Sequence, residues 1–141
     1  MTTDVCRRYI RRITRRKNDL LTLSTVVVAD AWFTKKSFTD AMLKSGFHFI
    51  SRFRDDANLK YLYTGELTGK PGRPKKYDGK TNHRNLTKST FKRMEAQDGN
   101  VIYTAIIYSV SMKRNLRLVN LELTNGKKKN NYTLFSRQTP K

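Results

Sequence analysis

Cys6 is the only cysteine in the chain. An internal disulfide and a thiolate-rich zinc cluster are therefore excluded, and a reducing, cytoplasmic setting is expected. Histidine is nearly as scarce, with His48 and His83 alone, which leaves little footing for Ser-His-Asp chemistry. His48 sits among apolar neighbours, and with no second His or Cys at ligand spacing it reads as a hydrogen-bonded structural histidine. No apolar run approaches the roughly eighteen residues of a membrane-spanning helix, so no membrane partner is expected. A Walker-type phosphate loop is missing, as is any internal repeat of roughly 20 to 50 residues.

Acidic residues are the scarcity that matters most. Eleven Asp and Glu stand against 30 Lys and Arg in 141 residues, for a net charge of +19 and a pI near 10.4. Solubility needs far less, and the single sign of the excess points to a polyanionic partner, first of all nucleic acid. The length suits one domain, with 37% hydrophobic residues to build its core.

The rest is organised around residues 25–36, TVVVADAWFTKK. Three consecutive valines, Val26 to Val28, predict a central strand buried on both faces. Asp30 then stands at the carboxyl end of that strand, the edge at which open α/β sheets hold ligands and metals. Lys35 and Lys36 follow closely, and suit a polyanion in contact with a cation bound there.

Upstream, Asp4 to Leu23 has the spacing of one helix, with Val5, Tyr9 and Ile13 inward, joined by Cys6, Ile10, Leu20 and Leu21, and with Thr3 or Asp4 as N-cap. Arg7, Arg8, Arg11, Arg12, Arg15 and Arg16 form its other face, either solvated or turned to DNA phosphates. Downstream, Phe33 to Ser45 predicts a short helix capped by Thr34 or Ser37, with Phe38, Ala41 and Met42 inward and Gly46 as its stop. Phe47 to Phe53 follows as an alternating strand, with Phe47, Phe49, Ser51 and Phe53 on one face. Arg52 and Arg54, at its end, are candidate phosphate contacts beside Asp30. Asp55 and Asp56 read as loop residues in a turn.

The character changes at Leu59. Residues 70–80, KPGRPKKYDGK, read as a surface loop, with Arg73, Lys75 and Lys76 as DNA-contacting cations. The Gly-Arg-Pro string resembles an AT-hook, which places arginine in a narrow minor groove. The remainder is predicted as an antiparallel β segment with strands near 85–94, 101–112, 116–123 and 132–136. Asp98-Gly99 and Asn125-Gly126 are its hairpin turns, and Lys127 to Lys129 form a basic tip. Tyr103, Ile107 and Phe135 are expected in the core of this sheet, although Phe and Tyr interleaved with Lys and Arg could also stack bases.

VVADAWFTKKSF, an apolar helix, FHFISRF and then GRPKKYDGK together resemble the DDE transposases of bacterial insertion sequences, whose core is ribonuclease H-like. The resemblance implies an α/β fold: a partial core of helix, strand, helix and strand over residues 1–58, then a mostly β insertion over 59–141 that carries the basic loop 69–80. It implies that Asp30 is the second of three acidic ligands, catalytic and metal-binding, for Mg2+ or Mn2+ in DNA strand cleavage and transfer. The first acid would lie on a strand before Met1, and the third on a helix after Lys141. Glu66, Glu95 and Glu122 fall in the β segment and match no such helix. One aspartate cannot build a two-metal site, so the chain reads as a truncated transposase that binds DNA without cutting it. The remainder of a split transposase or a second copy would be its protein partner, and the nucleoid its place when bound to DNA.

Two other readings stay open. One is a non-catalytic basic nucleic-acid-binding module in which Asp30 only caps a turn. The other is a nuclease that assembles its acids by dimerisation.

Overall fold

The computed structural model describes residues 2–54, 57–81, 91–95, 99–123 and 129–135, with backbone alone for 2–3 and 129–135. The elements in chain order are α1 (Thr2–Arg15), α2 (Lys17–Leu23), β1 (Val26–Ala29), a 3-10 turn (Ala31–Phe33), α3 (Lys36–Ser45), β2 (His48–Arg52), β3 (Leu59–Leu62), β4 (Tyr77–Lys80), β5 (Lys92–Glu95), β6 (Val101–Ser109), β7 (Arg114–Glu122) and β8 (Lys129–Phe135). The chain is a mixed α/β protein.

The expected single N-terminal helix is broken at Arg16, whose φ of −107° and ψ of 16° lie off the helical basin. It begins at Thr2, before either expected cap. Its buried stripe is also rotated from the expected one. Cys6 is buried and Ile10 and Ile13 pack against the core, whereas Val5 and Tyr9 are 41% and 47% exposed. The six arginines of α1 and its end are all exposed. In α3, Lys35 holds the N-cap position without a side-chain bond, so neither Thr34 nor Ser37 serves. Gly46 ends the helix in the left-handed conformation, φ 107°, which glycine adopts without a Cβ penalty.

The strands form one sheet in the order β1-β2-β8-β7-β6-β3-β4, with β5 also paired to β6. β1 and β2 are parallel, and the remaining pairs are antiparallel. β8 lies between β2 and β7, so the sheet runs without a break across the point near residue 58 where the sequence changes character. One core follows one face. Phe38 and Met42 from α3 meet Phe47 and Phe49 at one end, and Leu59, Ile107, Leu116 and Leu118 continue it along the sheet. Full burial of each such side chain stabilises by about 1.5–3 kcal/mol before entropy is counted.

The valine strand is not central. β1 is the edge of the sheet, and only Val27 and Ala29 of its residues pack on the core. Val26 is 39% and Val28 72% exposed on the opposite face. Three valines in a row show that both sides of a strand are apolar, but a strand's neighbours are set by pairing at long range. The second half departs from expectation at its edges. Tyr77 to Lys80, read as loop, is the edge strand β4. The stretch expected as one strand from Val101 to Met112 ends at Ser109, and the chain turns through Lys113 at φ 52°. Ile107 is buried and Tyr103 packs against the core, as expected. The side chain of Phe135, the pair Asp55–Asp56, His83, the Asn125-Gly126 turn and Lys127–Lys128 lie outside the described residues, as does Asp98, although Gly99 has the positive φ of a turn, 73°.

Candidate nucleic-acid interface

Asp30 continues β1 in extended conformation, φ −68° and ψ 162°. Strand alternation turns its side chain to the open face shared by Val26 and Val28. The parallel register ends with Ala29 opposite Ser51, so one step further sets Asp30 beside Arg52 at the carboxyl ends of two neighbouring strands.

A chain of aromatic contacts holds this end in place. Phe33 lies 5.1 Å from Phe38, which lies 5.3 Å from Phe49 in the core, centroid to centroid. Tyr9 of α1 meets the other edge of Phe33 at 5.3 Å. Trp32 meets Phe33 edge-on at 4.8 Å and carries the Lys35 ammonium 4.0 Å above its ring. The aromatic pair after Asp30 thus divides its work: one ring anchors the turn and the other presents a cation. Thr34 completes the anchorage by donating its hydroxyl to Ser51 Oγ at 2.8 Å and to the Arg52 carbonyl at 3.2 Å.

The Asp30 carboxylate is partly engaged. Oδ1 accepts the Ala31 N–H at 2.6 Å and caps the 3-10 turn, on an exposed site. Among the described residues no three His, Cys, Asp or Glu side chains gather where they could hold a metal. One carboxylate with one oxygen already accepting does not fit a self-sufficient Mg2+ or Mn2+ site. His48 is half-buried, and its backbone N–H bonds the Thr25 carbonyl at 2.8 Å.

The cations expected to contact DNA fall into two groups. Lys35, Lys36, Arg52 and Arg54 lie at the β1–β2 end, although Lys36 is spent on Asp40 at 2.6 Å. Asp40 also accepts from Arg114 at the start of β7, which ties α3 to the far half of the sheet. The Lys36–Asp40 partnership is legible as an i,i+4 pair, whereas nothing local announces a partner 74 residues away. Arg73, Lys75 and Lys76 belong to the connection between β3 and β4, at the opposite edge of the sheet. At about 4.8 Å per strand, the six steps from β1 to β4 span roughly 29 Å.

The β3–β4 connection has a firm base. Tyr63 N–H bonds the Lys76 carbonyl at 3.0 Å, and its hydroxyl donates to the Glu66 carbonyl at 3.0 Å. Lys75 pairs with Asp78 at 3.1 Å and lies 5.2 Å over the Tyr63 ring. Around this base the loop encloses an open hollow of about 500 Å³. Sequence reasoning missed the cluster next to it, in which Tyr77 stacks on Tyr108 at 4.8 Å and Lys60 lies 5.4 Å over Tyr77. Partial desolvation and then the Tyr108 hydroxyl raise the Tyr77 pKa, with Arg73 pulling it the other way.

Taken together, these features define a basic α/β protein with an aspartate at the open end of a parallel strand pair and cations at both edges of its sheet. The sequence profile of the family described as the transposase DDE domain matches residues 4–130. The chain belongs to that family. Comparison with curated proteins and with solved structures gave no match. No described helix is long and apolar enough to cross a membrane.

Proposed function

We propose that this chain is the central, DNA-facing part of a transposase with a ribonuclease H-like core, residues 1–58, and a β insertion, residues 59–141. Asp30 supplies one of the acids for DNA strand cleavage and transfer. The other two come from a further polypeptide segment, either the remainder of a split transposase or a second copy. The chain by itself binds DNA in the cytoplasm, at the nucleoid, and does not cut it.

The position of Asp30 carries this reading. It ends a strand that is parallel to its neighbour, faces the open side, and has Arg52 beside it and Lys35 close behind. A phosphate approaching that edge would meet cations on either side of the carboxylate, which suits a site where metal and phosphate are bound together. Family membership supports DNA as the partner, and the charge of +19 supplies its attraction.

A second reading has its own observation. The 2.6 Å bond from Ala31 N–H makes Asp30 a turn cap, as in a non-catalytic basic module. One experiment separates the two. Purified chain is incubated with supercoiled plasmid in Mg2+ or Mn2+, and its affinity for a duplex is measured with and without the metal. Binding without nicking is expected, with divalent metal strengthening the binding of wild type more than that of Asp30→Asn, which retains the cap. Nicking that vanishes in Asp30→Ala would show the chain to be a complete nuclease. An identical metal response in Asp30→Asn would favour the plain module.

A further inference from the structure

The loop joining β3 to β4 is an arm with a rigid base and a bare tip. Its base is held by the Tyr63–Lys76 backbone bond, by Thr64 N–H donating to Asp78 Oδ2 at 3.3 Å, and by the Lys75–Asp78 pair. Between these fixings, residues 64–76 are all exposed. Gly69 and Gly72 take positive φ, 63° and 126°, and a Cβ at either would meet nothing within 4 Å. The backbone at the tip therefore stands clear of the rest of the protein. Pro71 and Pro74 bracket Gly72-Arg73, each fixing its own φ and favouring extended backbone before it. What projects is a narrow strip, bent at Pro71 and Gly72, with one arginine between two ring-stiffened residues.

Of the cations near this tip, Lys75 is engaged by Asp78 and Tyr63. Lys70, Arg73 and Lys76 have no ion pair among the described residues. Such a strip does not suit the major groove, where a helix or a two-stranded ribbon is the usual reader. It suits the minor groove of an A·T tract, which is narrow and has an intensified negative potential that draws in arginine. There the absence of side chains at Gly69 and Gly72 lets the backbone approach the groove floor.

We propose that the β3–β4 arm is a minor-groove reader that places Arg73 in A·T-rich duplex. The proposal rests on the DNA-binding reading above and adds a base preference to it. It makes the far edge of the sheet a recognition site, distinct from the edge that holds Asp30.

The test uses the full chain and fluorescent duplexes of equal length, one with a central A·T tract and one wholly G·C, titrated at physiological salt. The A·T duplex should bind about tenfold more tightly, and a minor-groove-binding drug should erase the difference. Arg73→Ala should bring A·T binding down to the G·C level, while Lys76→Ala should weaken both duplexes about equally. Circular dichroism confirms that the variants fold, as expected for exposed loop positions. Equal binding of both duplexes by wild type, or a preference that survives Arg73→Ala, overturns the arm and leaves DNA binding standing. Failure of wild type to bind either duplex overturns both.

Discussion

At the scale of single residues, the division between Trp32 and Phe33 shows how a local pattern is given its meaning by packing. The sequence offers two adjacent aromatics, and only tertiary contact decides which of them is structural. Phe33 sits between Tyr9 and Phe38, whereas Trp32 is 37% exposed beneath Lys35. Phe33→Ala should therefore destabilise the protein by about 2 kcal/mol, below the range for a fully buried phenylalanine because the ring is only half-buried. Trp32→Ala should cost about 1 kcal/mol at most, since the exposed ring loses one edge contact with Phe33 and a cation that partial solvent couples only weakly. Urea midpoints of the two variants check this, and equal losses would count against the anchoring role of Phe33. Asp30 was legible as the end of a strand because a β-branched run stops there. Its bond to Ala31 was not, since a capping carboxylate and a ligating one look alike in one dimension.

At the scale of elements, β1 is the main correction. An edge strand with Val26 and Val28 at 39% and 72% exposure, close after Leu23 at the end of α2 at 83%, is a template for pairing or sticking. In the proposed transposase this edge is where further core strands would join. Val28→Lys should leave the thermal transition within about 0.5 kcal/mol of wild type, because the side chain leaves no packed site. It should also reduce self-association measured by light scattering. A stability loss above about 1 kcal/mol would mean that the face is covered in solution. The helices were easier to read than the strand's place. Cys6, Ile10 and Ile13 follow the helical period, but which residues bordering that stripe are buried depends on how α1 rests on α3, and that left Val5 and Tyr9 outside.

For the molecule as a whole, charge and width combine. Cations at the two edges, roughly 29 Å apart across the strands, would reach phosphates about eight to nine base pairs apart at 3.4 Å per step. A duplex lying across the sheet could meet both groups at once. If about six phosphates are neutralised, log K should fall against log salt with a slope of roughly −5. Titration across a range of salt concentrations measures the slope. A value near −1 would mean that most of the +19 charge never approaches DNA.

The sequence by itself determined the sign of the charge, the type of most elements and the strand-end position of Asp30, because composition, periodicity and stop residues are local properties. Only the tertiary structure decided that the valine strand lies at an edge, that β8 enters between β2 and β7, and that the basic groups stand on opposite sides. Each of these is a choice of partner between strands far apart in the chain. A hydrophobic pattern tells a strand which face to bury but leaves open which strand lies beside it.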